Sequence, residues 1–255
     1  MTFATDLELL AIQAEGARDP AGRLAGQYGI TIACAPGAHA LWIGSEVPDA
    51  AAAELAAALA ATAPALDPAA PPAALDRCRQ ILEAGRVIEQ HAGPSFVFPE
   101  DVVPLIGVRV ERCDRPHPAA LRGANPGNWQ SEEWDELLDG RLGPWTMVLD
   151  GVRAVSICHT PGPLTQRGAE CGVWTERGFR GRGYAAATAA VWAAIVRPTS
   201  GVLFYSTDAD NRSSQRVAAR LRLRPIGWTW RLHAPVPRAG QAHPLSAAVA
   251  GRPSS

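Results

Sequence analysis

The sequence is poor in cysteine and has no long run of apolar residues. Its five cysteines are odd in number and show no Cys-x-x-Cys spacing. This pattern argues against a disulfide framework and against a zinc site, and it favours a reducing compartment. The six histidines show no metal-like spacing. No apolar stretch is long enough to cross a bilayer, and the first ten residues lack the regions of a signal peptide. We therefore expect a cytoplasmic protein with no metal and no membrane partner.

Lysine is absent, and the charge is unevenly distributed. All 24 basic residues are arginine, and the formal net charge is −1. Residues 1–100 contain 12 acidic and five basic residues, whereas residues 101–255 contain 13 acidic and 19 basic residues. We interpret the missing lysine, with the abundant alanine, as a reflection of genomic base composition. The near-neutral total argues against a nucleic-acid partner.

Hydrophobic periodicity and turn residues predict a mainly helical N-terminal region over residues 1–95. Its predicted helices are Thr5–Arg18, Asp49–Thr62 and Leu75–His91, with short strands at Ile30–Cys34 and Ala40–Ile43. A second region, 96–234, mixes strands and helices. Residues 235–255, rich in proline, glycine and alanine, are expected to form a flexible tail.

The second region is predicted to begin with strands or extended chain over Ser95–Val110. A short helix at Ser131–Leu138 follows, and then a hairpin around Asp150-Gly151, a dipeptide that tolerates tight turns. The remaining predicted elements are the strand Glu170–Thr175, the helix Tyr184–Val196, the buried strand Val202–Ser206, the helix Asn211–Arg222 and the strand Ile226–Leu232.

The most informative stretch is Arg180-Gly181-Arg182-Gly183-Tyr184-Ala185, which lies between a predicted strand and an alanine-rich helix. Glycines let the backbone approach a bulky ligand. The start of a helix presents unpaired N–H groups and a partial positive charge. The order strand, loop, helix therefore predicts a phosphate-binding site, with arginine charges beside it.

Two motifs, Arg180-x-x-Gly183-x-Ala185 and Asn211-x-x-Ser214, occur in this region in a fixed order of strands and helices. On these residues the chain resembles the GCN5-related N-acetyltransferase (GNAT) superfamily over roughly a third of its length, from about Trp145 to Leu232. The resemblance implies an α/β (α+β) fold with a mixed, mostly antiparallel sheet flanked by helices. It also implies an acetyltransferase domain over residues 96–234 that passes acetyl directly from acetyl-CoA to an amine, with no metal.

The resemblance further implies how acetyl-CoA binds. Backbone N–H groups of the glycine-rich loop would hold the pyrophosphate, and the preceding strand would pair with the pantetheine arm. Residues of the second motif would hydrogen-bond the pantetheine or line its path. The expected cofactor-binding residues are Val173, Trp174, Thr175, Arg180, Gly181, Arg182, Gly183, Tyr184, Ala185, Asn211 and Ser214.

Acetyl transfer needs a base, because an ammonium group has no lone pair with which to attack. We predict Glu170 as this catalytic base, since it lies ten residues before Arg180 on the strand beside the expected thioester. The alternative is a solvated carboxylate at the end of a strand. Asp208 is predicted either to bind a cationic substrate or to form a turn.

The sequence departs from the superfamily at two positions. Many members have a general-acid tyrosine where this chain has Ala218, so the acid stays open among Tyr205, Ser206, Ser214, water and backbone dipoles. Arg222 stands where the superfamily often has a glycine at a helix end.

For the acceptor, we predict a small-molecule amine, with a kasugamycin-like aminoglycoside and hence antibiotic resistance as the first choice. An acidic N-terminal half would attract an aminosugar. Trp129 and Trp134 either form an aromatic wall for this substrate or fill the core. The alternatives are a protein acetyltransferase that acts on lysine or an N-terminus, and a non-catalytic CoA-binding module. A homodimer stays open.

Overall fold

The computed structural model describes residues 4–103, 107–116, 119–162 and 164–235. Within these ranges the chain forms six α-helices and ten β-strands. The helices are α1 (Asp6–Gln13), α2 (Asp49–Ala60), α3 (Leu75–Glu83), α4 (Ser131–Leu138), α5 (Tyr184–Val196) and α6 (Arg212–Arg220). The strands are β1 (Gly29–Ala35), β2 (Ala38–Ile43), β3 (Glu89–Val97), β4 (Glu111–Arg112), β5 (Trp145–Asp150), β6 (Arg153–His159), β7 (Gly168–Glu170), β8 (Gly172–Thr175), β9 (Val202–Ser206) and β10 (Arg224–His233).

The chain divides into two compact units. Among the described residues, the first unit comprises 4–96, Ser206–Arg212 and 225–235, and the second comprises those of 97–205 together with Ser213–Arg224. Two segments of the predicted region 96–234 therefore cluster with the N-terminal residues. The reason is strand pairing, because β10 pairs antiparallel with β1 over six residues. The predicted tail 235–255 lies outside the described residues apart from Pro235.

In the first unit, β2, β1, β10 and β3 are neighbours in that order, and β1 pairs antiparallel with both β2 and β10. Helices α2 and α3 contact each other and share a core with the strands. The apolar residues of this core include Ile30, Ile32, Leu55, Leu59, Cys78, Leu82, Trp230 and Leu232. The N-terminal residues thus supply three strands as well as three helices.

The predicted helix Leu75–His91 is too long. Helix α3 ends at Glu83, and Gly85 follows with a φ of 85°, a left-handed conformation that commonly ends helices. The chain then enters β3 at Glu89, over residues that the periodicity placed in the helix.

In the second unit, β4, β5, β6 and β8 form a four-stranded sheet in that order, and its pairings are antiparallel. The predicted hairpin is formed by β5 and β6, although its two-residue loop is Gly151-Val152, because Asp150 pairs with Arg153. Strand β7 pairs in parallel with β9. The fold prediction is confirmed: a mixed α/β architecture with mostly antiparallel pairing and flanking helices.

Helix α5 is fixed on the sheet by its own buried face. Nine of its 13 residues are buried, so the helix is enclosed on most sides. Thr146 on β5 donates a hydrogen bond of 2.8 Å from its Oγ1 to the carbonyl of Thr188. Trp192 donates one of 3.0 Å from Nε1 to Oγ1 of Thr160. These contacts hold the middle of α5 against β5 and against Thr160, the residue after β6.

The end of α6 tolerates the residue that replaces the expected glycine. Arg222 has a φ of 54°, and its N–H donates to the carbonyl of Ala219 while the N–H of Leu223 donates to Ala218. This is the bonding pattern of a left-handed helix end. The arginine adopts the glycine-like conformation at some conformational cost.

Among the described residues, no helix is both long and apolar enough to traverse a bilayer.

We expect Leu82→Ala to lower the free energy of unfolding by about 2–5 kcal/mol, because it removes a fully buried side chain and leaves a cavity. Urea denaturation of the full chain measures this. Val87→Ala is the control, since Val87 is 71% exposed and should change stability by less than about 0.5 kcal/mol. Equal effects at both positions would contradict the assigned core.

Candidate acetyl-CoA site

The strand predicted over Glu170–Thr175 changes partner at Cys171. Before it, β7 pairs with β9, and the N–H of Cys171 donates the last hydrogen bond of this edge, 3.1 Å to the carbonyl of Phe204. After it, β8 pairs with β6 and is the edge strand of its sheet in the described part of the chain. Strands β8 and β9 therefore part, and the peptide groups on this edge of β8 can pair with an extended ligand.

Strand β8 is held firmly from its other side. The Oγ of Ser156 on β6 lies 2.8 Å from Oγ1 of Thr175. The same Oγ donates a hydrogen bond of 3.2 Å to the carbonyl of Trp174. Val173 is opposite Cys158. The edge that would receive a ligand is consequently preorganised.

The glycine-rich loop follows β8 after Glu176 and a short 3₁₀ helix (Arg177–Phe179), and it leads into α5. Gly181 and Gly183 have φ values of 80° and 86°, which only glycine adopts without strain. Gly183 is the N-cap of α5, and its carbonyl accepts the hydrogen bond from Ala187. The N–H groups of the first turn, Tyr184 onward, have no partner within the helix and carry its positive dipole end. This geometry suits an anionic phosphate.

Two predicted arginines brace this loop. Arg180 donates from Nε to the carbonyl of Thr175 at 3.1 Å, and Arg182 donates to the carbonyl of Gly178 at 3.3 Å. The guanidinium of Arg182 lies 4.8 Å from the ring centroid of Phe179. Both arginines are exposed, so their charges remain available to a ligand while their backbones are held in place.

A further arginine lies at the loop, and the sequence analysis missed it. A Cβ on Gly183 would lie 3.1 Å from the Cζ of Arg220, so this guanidinium sits against the N-cap of α5. The sequence does contain a signal for it. Arg212, Arg216 and Arg220 are spaced four residues apart, which places them on one face of α6.

Tyr205 lies on β9 just beyond the last hydrogen bond to β7. Its hydroxyl is 2.5 Å from Oγ of Ser214 on α6. Burial raises the pKa of the Tyr205 phenol strongly, and the Ser214 hydrogen bond lowers that pKa by a smaller amount. The phenol is therefore protonated at neutral pH. Ala218, where the superfamily often has its tyrosine, is buried.

The predicted base, Glu170, is half-buried at the end of β7, opposite Phe204. Its neighbour Cys171 is fully buried against Cys158, and burial raises the pKa of the Cys171 thiol well above its ordinary value. A buried, protonated thiol is not a nucleophile. The site thus offers a carboxylate rather than a thiolate for chemistry.

The predicted residues fall into two groups. Glu170, β8, the loop and Ser214 belong to the second unit, whereas Asp208 and Asn211 belong to the first. Asp208 forms an ion pair of 2.9 Å with Arg231. Its carbonyl accepts a hydrogen bond from the N–H of Asn211 at 3.1 Å. The roles of these site residues stay predictions.

The two candidate substrate tryptophans lie in the core of the second unit. Trp134 is 2% exposed and Trp129 is 8% exposed. The indole N–H of Trp134 is shared between the carbonyls of Leu121 and Arg122, at 3.2 and 3.1 Å. Their burial favours core filling over a substrate wall, because neither ring has a free face to stack on a ligand.

The spacing of the histidines along the sequence did not reveal one group of potential metal ligands. In the first unit, His91 and His233 lie with Glu89 on neighbouring strands, with one ligand atom of each within 4.8 Å of the others. Their separation in the sequence concealed them, because His91 and His233 are 142 positions apart and only strand pairing brings them together.

No model of a known protein family matches the sequence, and a search of curated proteins gives no match. Solved structures do match. A GNAT-family protein from Novosphingobium aromaticivorans is 25% identical over 59% of this chain and 68% of its own, with a TM-score of 0.43. A GNAT-family acetyltransferase from Colwellia psychrerythraea is 11% identical over 61% of each chain, with a TM-score of 0.44. A GCN5-related N-acetyltransferase from Kribbella flavida is 16% identical over 68% of this chain and 79% of its own, with a TM-score of 0.37.

The chain is thus similar to several solved structures of GNAT-family proteins. The functional proposal rests on this chain's own glycine-rich loop and on the open edge of β8.

We expect the stability of the protein to fall at alkaline pH more steeply than that of Tyr205→Phe. The folded phenol has a raised pKa, whereas the unfolded phenol ionises near pH 10. Stability from this group is therefore complete below about pH 10 and is lost above it by up to about 1.4 kcal/mol per pH unit. Urea denaturation measures the free energy of unfolding of both proteins at pH 9 and at pH 11, which lie roughly one unit below and above the unfolded pKa. A constant difference between them would show that Tyr205 ionises in the folded state.

Proposed function

We propose that this protein is an acetyl-CoA-dependent N-acetyltransferase. One observation carries the proposal: the open edge of β8 is followed, after one short 3₁₀ helix, by a loop with two left-handed glycines at the start of α5. The pantetheine arm of CoA is an extended, amide-containing chain, and its pyrophosphate is an anion. An edge strand can pair with the pantetheine arm, and a helix N-terminus can bind the pyrophosphate.

The positive charges match the cofactor. Arg180 and Arg182 flank the loop, and Arg220 lies against Gly183. Pyrophosphate is well recognised by the planar, multiply donating guanidinium group. The residues of this chain therefore fit CoA, with backbone N–H groups of α5 toward the phosphates and the β8 edge toward the pantetheine.

The chemistry requires proton removal from the acceptor. The amine nitrogen attacks the thioester carbonyl, an amide bond forms, and the carbon–sulfur bond breaks to release CoA. We assign Glu170 as the base that takes the proton of the amine, because this carboxylate lies one residue before the point where β7 leaves β9. A carboxylate here can act directly or through one water molecule.

The leaving thiolate needs a proton. Tyr205 on β9 and Ser214 on α6 form a hydrogen-bonded pair of hydroxyl groups, each of which carries a proton. We assign this pair as the proton source in place of the missing tyrosine at position 218. An acid near the sulfur would raise the rate by stabilising the charge that develops there.

For the acceptor we propose a small-molecule amine, with an aminoglycoside-type antibiotic as the first candidate. The support is electrostatic, since residues 1–100 carry a clear acidic excess and acidic surfaces attract polycationic aminosugars. Acetylation of such a drug would confer resistance.

The experiment is an assay of thiol release from acetyl-CoA with a panel of acceptors: aminoglycosides, other small amines, lysine peptides and no acceptor. Turnover on small amines supports the proposal. Turnover on peptides alone would make the protein a protein acetyltransferase. Calorimetric binding of CoA without turnover would make it a binding module, and no binding at all would overturn the cofactor site.

Gly183→Val should raise the dissociation constant for acetyl-CoA by about tenfold or more, equivalent to at least ~1.4 kcal/mol. Valine is strained at a φ of 86°, and its Cβ would lie 3.1 Å from the guanidinium of Arg220. Calorimetric titration measures the affinity. Gly178→Ala is the control, because a Cβ there meets no atom within 4 Å. Unchanged affinity in Gly183→Val would contradict the loop assignment.

Glu170→Gln should lower kcat by about 10²–10⁴-fold, the usual contribution of a general base, with little change in the KM for acetyl-CoA. The two constants are measured with the acceptor that the panel identifies. Glu100→Gln serves as the control, since Glu100 is an exposed glutamate of the same unit. A kcat equal to that of the control would remove Glu170 as the base.

A further inference from the structure

Two histidines and a glutamate of the first unit converge on neighbouring strands. Glu89 and His91 belong to β3 and His233 belongs to β10, the strand next to it. One ligand atom from each lies within 4.8 Å of the others. We propose that these residues bind one zinc-type divalent cation, independently of the acetyltransferase reaction.

The placement on the strands brings the three side chains to one surface. Glu89 and His91 are two residues apart on β3, so they project from the same face of the sheet. The imidazole rings of His91 and His233 are nearly parallel, at 8°, with centroids 5.1 Å apart. Nε2 of His91 lies 3.8 Å from Oε2 of Glu89. One nitrogen of each imidazole and one carboxylate oxygen therefore lie close together, and a rotation of the His91 ring out of the stack would turn its lone pair toward a shared ion.

The hydrogen bonding of His233 prepares it as a ligand. Its Nδ1 lies 2.9 Å from the carbonyl oxygen of Ala234. A carbonyl oxygen can only accept, so Nδ1 carries the proton and Nε2 of the neutral ring keeps its lone pair. Metal-binding histidines in proteins almost always donate their second N–H to a carbonyl or carboxylate in this way. The contact fixes both the tautomer and the ring orientation.

The backbone beneath His233 is also fixed. Gly29 on β1 is opposite His233, and a Cβ at position 29 would lie only 2.8 Å from the Cβ of His233. Glycine thus lets the two strands approach closely at this point. Pairing with β1 positions the backbone of His233, and the hydrogen bond between Nδ1 and the carbonyl of Ala234 orients its ring.

The type of ligand selects the metal. Two imidazoles and one carboxylate suit Zn²⁺ and similar transition metals, whereas Mg²⁺ and Ca²⁺ prefer oxygen ligands. Ligand atoms on one tetrahedral zinc lie roughly 3.3 Å apart, given metal–ligand distances of about 2.0–2.1 Å. The His91 and Glu89 side chains are 43% and 49% exposed, so they can rotate to make this contraction. Three protein ligands would leave one position for water.

The test is calorimetric titration of the full chain with ZnCl₂ in chelator-free buffer. We expect one bound ion per chain and no binding of Mg²⁺ under the same conditions. His91→Ala and Glu89→Gln should each weaken the zinc affinity by at least about tenfold, because each removes a ligand. His39→Ala is the matched control, a histidine on strand β2 of the same unit, and should bind as the wild type does.

Thermal unfolding provides the second measurement. Zinc should raise the Tm of the wild type and not that of His91→Ala, because a ligand that binds the folded state stabilises it. A metal-free Tm of His91→Ala close to that of the wild type shows that the variant folds. Gly183→Val should bind zinc normally, which separates this proposal from the acetyl-CoA site. Equal zinc binding by the wild type and His91→Ala, or no binding by the wild type, would overturn the proposal.

Discussion

A single change of strand pairing creates the candidate site. Up to Cys171 the chain uses one edge to pair with β9, and beyond Cys171 it uses the opposite edge to pair with β6. If β8 had continued beside β9, its peptide groups would all be bonded within the protein, and an extended ligand would find none. The same strand then delivers the loop and the N-terminus of α5 next to that open edge. Strand, loop and helix therefore act as one binding element.

The parts of this element that are local could be predicted from the sequence. Glycine at positions 181 and 183 marks a backbone that needs positive φ, and both residues adopt it. The start of α5 follows from the alanine-rich run after Gly183, because alanine favours a helix and glycine favours its boundary. The hairpin followed from Asp150-Gly151, with an error of one residue in its loop.

What depends on distant pairing could not be predicted. The end of β7 at Glu170 is set by where β9 lies, and the apolar pattern of the sequence continues past that point. Helix α3 was extended too far because apolar periodicity continues past Gly85, where only the φ of that residue shows the break. Arg220 and the pairing of His91 with His233 join residues far apart in sequence. The arginine spacing marks a basic face of α6, but a single sequence does not show that Arg220 reaches Gly183 or that His91 stacks on His233.

The cations around the cofactor loop are all guanidinium groups, and this has a chemical consequence. An acetyl thioester reacts with neutral amines, and a lysine that lost its proton beside the cofactor could capture the acetyl group itself. Arg180, Arg182 and Arg220 keep their protons at any physiological pH and offer no free amine. They can hold the phosphates without being acylated, so the binding charge survives repeated turnover.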